Sequence, residues 1–232
     1  MTENNETRRT RVDGRKRRSF VNKDEYLQNL GNGPTIIVDC DYDDKHSERN
    51  IRSLVVQLSL SYSCIRKSNS PLKLIICGIS DRLYEGLLNT LANNWVGVEL
   101  LKCGLKELLN ERYISLESEN DVSNKNYDVI YLSADSDNVL QYNDDFKYNS
   151  KQVFIVGGII DRNKHKNISI MRANELNLET ARLPIKESGI ILNYNEVLTV
   201  NHVVECIVKY NETKNWHDTF NSILPKRKMD VV

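Results

Sequence analysis

No Gly-x-Gly-x-x-Gly run occurs in the 232 residues, which disfavours a Rossmann-type dinucleotide site and a class I methyltransferase pocket alike. No Gly-x-x-x-x-Gly-Lys-Ser/Thr is present either, so the chain carries no P-loop. No apolar run approaches the roughly 20 residues that cross a bilayer, and the polar start MTENNETRRT is unlike a secretory signal. The five cysteines (Cys40, Cys64, Cys77, Cys103, Cys206) are odd in number, include no Cys-x-x-Cys pair and lie mostly in apolar segments. That is the pattern of reduced core thiols in an intracellular protein. The four histidines (His46, His165, His202, His217) lack zinc-ligand spacing. His202 falls in a helical pattern, as a packed or surface histidine does, and Trp95 and Trp216 read as packing residues.

Net charge is also lacking: 32 basic residues balance 32 acidic ones. The balance hides an asymmetry. Residues 1–20 hold Arg8, Arg9, Arg11, Arg15, Lys16, Arg17 and Arg18 against three acids, leaving 25 basic and 29 acidic residues in the rest. A basic arm on a mildly acidic body suits a polyanion, with nucleic acid first and a membrane surface second. A solvated tail or a nuclear-import signal (GRKRR) is the competing reading. Residues 1–23 are almost free of apolar side chains and read as a flexible arm. The remainder, 24–232, is long enough for one sizeable core and shows neither repeats nor a second boundary.

Within that body, apolar runs of strand length alternate with helical patterns. Strands are predicted at 35–40, 72–77, 96–101, 127–133, 152–158 and 180–185. Helices are predicted at 23–30, 47–66, 81–94 with Asp81 as N-cap, 104–110, 169–177, 199–211 and 215–223, with a polar loop at 117–127. The apolar runs barely alternate, as in strands buried on both faces. The expected fold is α/β: a mainly parallel six-stranded sheet covered by helices.

Ligands of open parallel sheets bind at the carboxyl ends of the strands, and three candidate sites lie at such ends. In VDCDYDD, the carboxylates of Asp39, Asp41, Asp43 and Asp44 suit Mg²⁺ as in phosphatases and nucleases, or form a charged loop capping the next helix. In YLSADSD, Ser133, Asp135 and Asp137 offer contacts to a ligand, or an N-cap. In VFIVGGIIDRNKHK, Gly157 and Gly158 permit a tight turn or a close ligand approach. Asp161 there either caps a helix or does chemistry, and Arg162, Lys164 and Lys166 beside it suit an anionic substrate.

Taken in order, IIVDCDYDD, SLVVQLSLSY with Arg66 beyond it, VIYLSADS, VGGIIDRNKHK, ARLPI, VLTVNHVVECIVKY and W…F…ILPKRK resemble the SPOUT-class tRNA (guanine-9-N1) methyltransferase family over about residues 35–228. The resemblance implies a C-terminal trefoil knot and S-adenosylmethionine bound within it, with S-adenosylhomocysteine as product and no metal. Carried over, it places the cofactor among Leu132, Ser133, Gly158, Arg162, Asn163, Lys164, His165, Lys166, Ile170, Leu183, Val197, Leu198 and Thr199. It makes Asp161 the general base and sets Gln57 and Arg66 on the tRNA side, where the arm's Arg15, Lys16, Arg17 and Arg18 also bind. The family often has a second arginine where this chain has Leu60. An intracellular monomer acting on tRNA is implied. The rivals are a Mg²⁺-dependent phosphatase or nuclease using Asp39, Asp41 and Asp43, and an RNA-binding module without catalysis.

Overall fold

The computed structural model describes residues 22–114, 127–141, 148–160, 165–193 and 196–225. Six strands form one sheet: β1 (Thr35–Asp39), β2 (Lys73–Cys77), β3 (Val98–Leu100), β4 (Asp128–Leu132), β5 (Gln152–Gly157) and β6 (Glu179–Ala181). Their order is β3-β2-β1-β5-β4-β6, and every pairing is parallel. Among the described residues, seven α-helices accompany them: α1 (Lys23–Asn29), α2 (Glu48–Lys67), α3 (Asp81–Leu88), α4 (Leu105–Arg112), α5 (Ile168–Glu175), α6 (Val200–Thr213) and α7 (Trp216–Ile223).

The weak alternation of the strands is explained by two cores, one on each face. Ile36, Val38, Leu74, Ile76, Phe154 and Val156 pack with the α2, α3, α6 and α7 side. Their neighbours Ile37, Ile75, Cys77, Val153 and Ile155 face α4 and α5 on the other. Successive side chains point to opposite faces of a strand, so a strand covered on both sides must be apolar throughout. Both tryptophans are ring-stacked: Trp95 on Tyr62 with centroids 4.7 Å apart, Trp216 on Tyr210 at 4.2 Å. Cys40, Cys77 and Cys206 are buried and all five cysteines are free thiols. Burial holds the Cys40 and Cys206 thiols well above the ordinary range and pushes Cys64 up to about 12, so they stay protonated and inert.

Several boundaries differ from the sequence expectation, and three of the differences have a visible cause. Ser80, not Asp81, caps α3, its hydroxyl accepting from Leu83 N–H at 3.2 Å. The helix stops at Leu88, and a 3₁₀ turn at Ala92–Asn94 follows Leu91, which is left-handed at φ 58°. β6 ends at Ala181 rather than 185. Pro184 has no N–H for a ladder, and Ile185 N–H turns back to Leu183 O at 2.9 Å. Of the expected polar loop, residues 117–126 lie outside the described residues.

Candidate active site

A cavity of about 130 Å³ opens at the carboxyl ends of β4 and β5, where parallel sheets hold ligands. Leu132, Ser133, Val156 and Gly157 come from the strand ends; Arg182, Leu183 and Ile185 follow β6; and Val197, Leu198 and Val200 lead into α6. The lining is mainly aliphatic, with Ser133, Ser169, Arg182 and Glu196 as its polar side chains. Such a surface takes a flat heteroaromatic ring and reads its edge through backbone groups. Two polar neighbours are already partnered. Arg182 makes a two-pronged pair with Glu187 (2.9 and 2.6 Å), and Glu196 pairs with Lys186 at 2.8 Å.

Five of the expected cofactor residues therefore meet at one cavity: Leu132, Ser133, Leu183, Val197 and Leu198. Thr199 stands next to it as the residue before α6. Ile170 is half-buried on α5, one residue past the lining Ser169, and His165 and Lys166 are exposed ahead of that helix. Asp161, Arg162, Asn163 and Lys164, like the arm residues Arg15, Lys16, Arg17 and Arg18, lie outside the described residues. Ala134, Ile159, Ser169, Arg182, Ile185, Glu196 and Val200 join the lining without having been expected.

The two glycines differ in duty. Gly157 lines the cavity; a Cβ there would come within 3.3 Å of Ser169 Oγ and 3.4 Å of Tyr131 OH. Gly158 turns instead toward β1, where a Cβ would stand 2.8 Å from Cys40 Sγ and 2.9 Å from Asp39 O. Its N–H donates to that same carbonyl at 2.7 Å. Gly158→Ala is thus expected to destabilise the protein by roughly 1–3 kcal/mol through overpacking. Gly157→Ala should cost less and act on the cavity. Thermal melts of both variants, with ligand titrations alongside, check the difference; equal melting temperatures would refute it.

Beyond Gly158 the chain is held on both sides of residues 161–164. Ile160 N–H donates to His46 Nε2 (2.9 Å), and Asn50 Nδ2 donates to Ile160 O (2.6 Å). On the far side, Asn167 N–H donates to Asp135 Oδ2 at 3.0 Å. Asn167, left-handed at φ 60°, is the N-cap residue of α5, and its side chain makes no capping bond.

The VDCDYDD carboxylates are engaged by arginines. Asp39 is fully buried; its Oδ2 accepts from Tyr131 OH and Arg172 Nε, each at 3.2 Å, and its Oδ1 from Asp41 N–H at 3.2 Å. Tyr42 OH lies 2.8 Å from Tyr131 OH, and Arg172 reaches Asp41 Oδ2 at 2.8 Å. Burial raises the Asp39 pKa, with the Arg172 charge opposing it. Asp43 accepts from Ser80 Oγ (2.6 Å) and Arg82 (2.8 Å), bonds that outweigh burial and hold its pKa below the ordinary value. Asp44 pairs with Lys45. Asp39 and Asp41 tie α5, and Asp43 ties α3, to the end of β1 and the loop after it, and the cap of α2 is Ser47 rather than one of these acids. Among the described residues, no group of three or more His, Cys, Asp or Glu is disposed to hold a metal ion.

The two expected tRNA contacts on α2 are far apart. Gln57 Oε1 accepts from Val200 N–H at 3.0 Å, against the cavity wall. Arg66 sits in the last turn of α2 with its guanidinium 4.6 Å from the centre of the Tyr26 ring. Nine residues of helix separate them, about 13 Å, and α2 runs from the carboxyl edge of the sheet to its amino edge, so Arg66 is remote from the cavity. Leu60, in place of the second arginine, is 47% exposed.

An all-parallel sheet with helices on both faces and a largely aliphatic cavity at the carboxyl ends of β4 and β5 places the chain among α/β proteins built to hold a ligand at their strand ends. The chain belongs to the tRNA (guanine(9)-N(1))-methyltransferase TRM10/TRM10A family, whose profile matches residues 1–229. Among curated relatives, the tRNA (guanine(9)-N1)-methyltransferase of Kluyveromyces lactis is 32% identical over 206 residues, covering 88% of this chain and 62% of that protein. The Schizosaccharomyces pombe relative of the same name is 32% identical, covering 83% of this chain and 58% of that protein. The chain thus spans about 60% of the length of these relatives. Among solved structures, the full-length spTrm10–SAH complex superposes with a TM-score of 0.70 at 27% identity, covering 85% of this chain and 96% of that one. A dual-specific Trm10 from Thermococcus kodakaraensis shares the fold, with a TM-score of 0.58 at 21% identity over 82% of this chain and 99% of that one.

Proposed function

We propose that this protein transfers a methyl group from S-adenosylmethionine to N1 of guanine at position 9 of tRNA, releasing S-adenosylhomocysteine. The observation that carries the reading is the aliphatic cavity at the ends of β4 and β5, in a chain of this family. The residues present fit an adenosine-bearing ligand: aliphatic side chains suit the ring faces, and the bare Cα of Gly157 leaves room beside Ser169. Bound there, S-adenosylmethionine supplies an electrophilic methyl group on a sulfonium. Leu132, Leu183, Val197 and Leu198 would hold it and exclude water.

Guanine N1 carries a proton at neutral pH and must shed it to attack the methyl carbon. Asp161 is assigned that proton. A carboxyl with an ordinary pKa of about 3.9 is a weak base, so its larger service is to orient the guanine edge and stabilise charge as the proton leaves. Residues Arg162, Lys164 and Lys166, with the basic arm, would meet tRNA phosphates. The trefoil crossing, the division into arm and body, and the monomeric state belong to the same proposal.

Calorimetry with S-adenosylhomocysteine in excess chelator, followed by methyl incorporation into transcripts bearing guanine or another base at position 9, tests the reading. Binding without metal and label only in the guanine transcript are expected. No binding, or RNA cleavage that returns with Mg²⁺, would overturn it. The arginine pairs on Asp39, Asp41 and Asp43 already weigh against that rival, because a cation would have to displace them.

A further inference from the structure

We propose that Gln57 is a positioning residue for the cofactor wall, holding the start of α6 from outside, and not a contact to tRNA. The proposal rests on the reading of the cavity as the S-adenosylmethionine site. The first N–H groups of a helix have no partner within it and need an external acceptor. Thr199, the N-cap residue of α6, is of a type that supplies one, yet its side chain makes no capping bond. Its hydroxyl lies 2.8 Å from Asn201 Oδ1 and 3.0 Å from His202 Nδ1. The acceptor comes from α2 instead: Gln57 Oε1 receives Val200 N–H at 3.0 Å.

The carboxamide is used at both ends, since Nε2 donates to Ser53 Oγ at 3.4 Å. The Val200 N–H fixes which end faces α6. Turned over, the amide would oppose one N–H with another there and lose that bond, while the Ser53 hydroxyl could serve either end. With its head group committed and its side chain half-buried between α2 and α6, Gln57 is poorly disposed to reach a nucleotide.

Val200, the residue so held, is both the first residue of α6 and part of the cavity lining. Residues 196–199 before it have no regular secondary structure, although Val197 and Leu198 also line the cavity. The position of that wall is therefore set by where α6 begins. Gln57 ties that point to the middle of α2, a 20-residue helix packed on the sheet.

The test is calorimetric titration of the full chain with S-adenosylhomocysteine, without RNA, for the parent, Gln57→Leu and Gln57→Glu. Binding of tRNA by the same proteins without cofactor is measured in parallel, and melts are recorded for all three. Gln57→Leu removes the acceptor at similar size and should weaken S-adenosylhomocysteine by about 2- to 30-fold, the range equivalent to a lost helix cap, with tRNA affinity unchanged. Gln57→Glu keeps an acceptor, favoured at a helix N-terminus, and Ser53 can turn its hydroxyl to it; ligand affinity should stay near that of the parent. Parent-like ligand binding by Gln57→Leu, whether tRNA affinity falls or only the melting temperature does, would overturn the assignment. A parent that does not bind S-adenosylhomocysteine would overturn the reading of the cavity, and this assignment with it.

Discussion

Replacing Asp161 by Asn is expected to slow single-turnover methylation by about 10²- to 10⁴-fold near neutral pH, the range for a lost acid–base partner. Affinity for tRNA and for S-adenosylhomocysteine should hardly move. Asn keeps the shape of the side chain and one acceptor, but it cannot take a proton or carry the charge that steadies one as it departs. The deficit should be largest at low pH and shrink as pH rises, because guanine N1 then loses its proton to solvent unaided. A scaffold role predicts the opposite pattern: unchanged rates and a lower melting temperature. The usual scaffold role for an Asp at this point is a helix cap, whose loss would lower the melting temperature and leave the pH dependence of the rate unchanged. The chain on either side is held at Ile160 by His46 and Asn50 and at Asn167 by Asp135. A changed rate in Asp161→Asn at an unchanged melting temperature would report the carboxyl group rather than a collapsed segment. Equal single-turnover rates across the pH range would end the catalytic assignment.

The sheet was legible because the middle of a strand covered on both faces must be apolar, and Ile36–Val38 and Val153–Val156 are. Where two capping residues stand together, as Ser80 and Asp81 do, sequence cannot decide which turns inward; only the Leu83 N–H contact does. The glycine pair was legible as a special point, but the duties of its members depend on the pleat. Gly157 follows Val153 and Ile155 onto the α5 face, so Gly158 is thrown to the other side, against Val38 and Cys40. The five cavity residues emerged from a family resemblance that carries strand-end positions with it. The Gln57 bond to Val200 and the Arg172 bond to Asp39 join residues 143 and 133 positions apart. No local pattern encodes such pairs. The acid cluster was misleading for the same reason: four carboxylates in six residues look like a cation site until the arginines of α3 and α5 arrive.

Arg172 bears the second large expectation. Asp39 is fully buried beneath the turn that leads out of β5, and the side chain of Arg172 is only 20% exposed. Removing one partner of a buried ion pair leaves the other charged without compensation, a loss of roughly 3–5 kcal/mol. In a domain of this size that lowers the melting temperature by on the order of 10 °C for Arg172→Leu. The sign with pH follows from Asp39. Burial already raises its pKa above the unfolded value, while the Arg172 charge pulls the other way; without the arginine it rises further. A carboxyl whose folded pKa is raised contributes stability that is fully present below the unfolded pKa, near 3.9, and lost as pH rises through the folded one. The variant's deficit relative to the parent should thus be greatest at pH 7 and narrow toward acid. Adding Asp39→Asn removes the charge that needed a partner and should restore part of the stability, with Tyr131 OH still able to donate to the amide oxygen. Melts of the parent, both single variants and the double variant at pH 5 and 7 decide the matter. A deficit independent of pH, or a double variant no more stable than Arg172→Leu, would mean that the arginine matters for its packing on α5 and not for the buried charge.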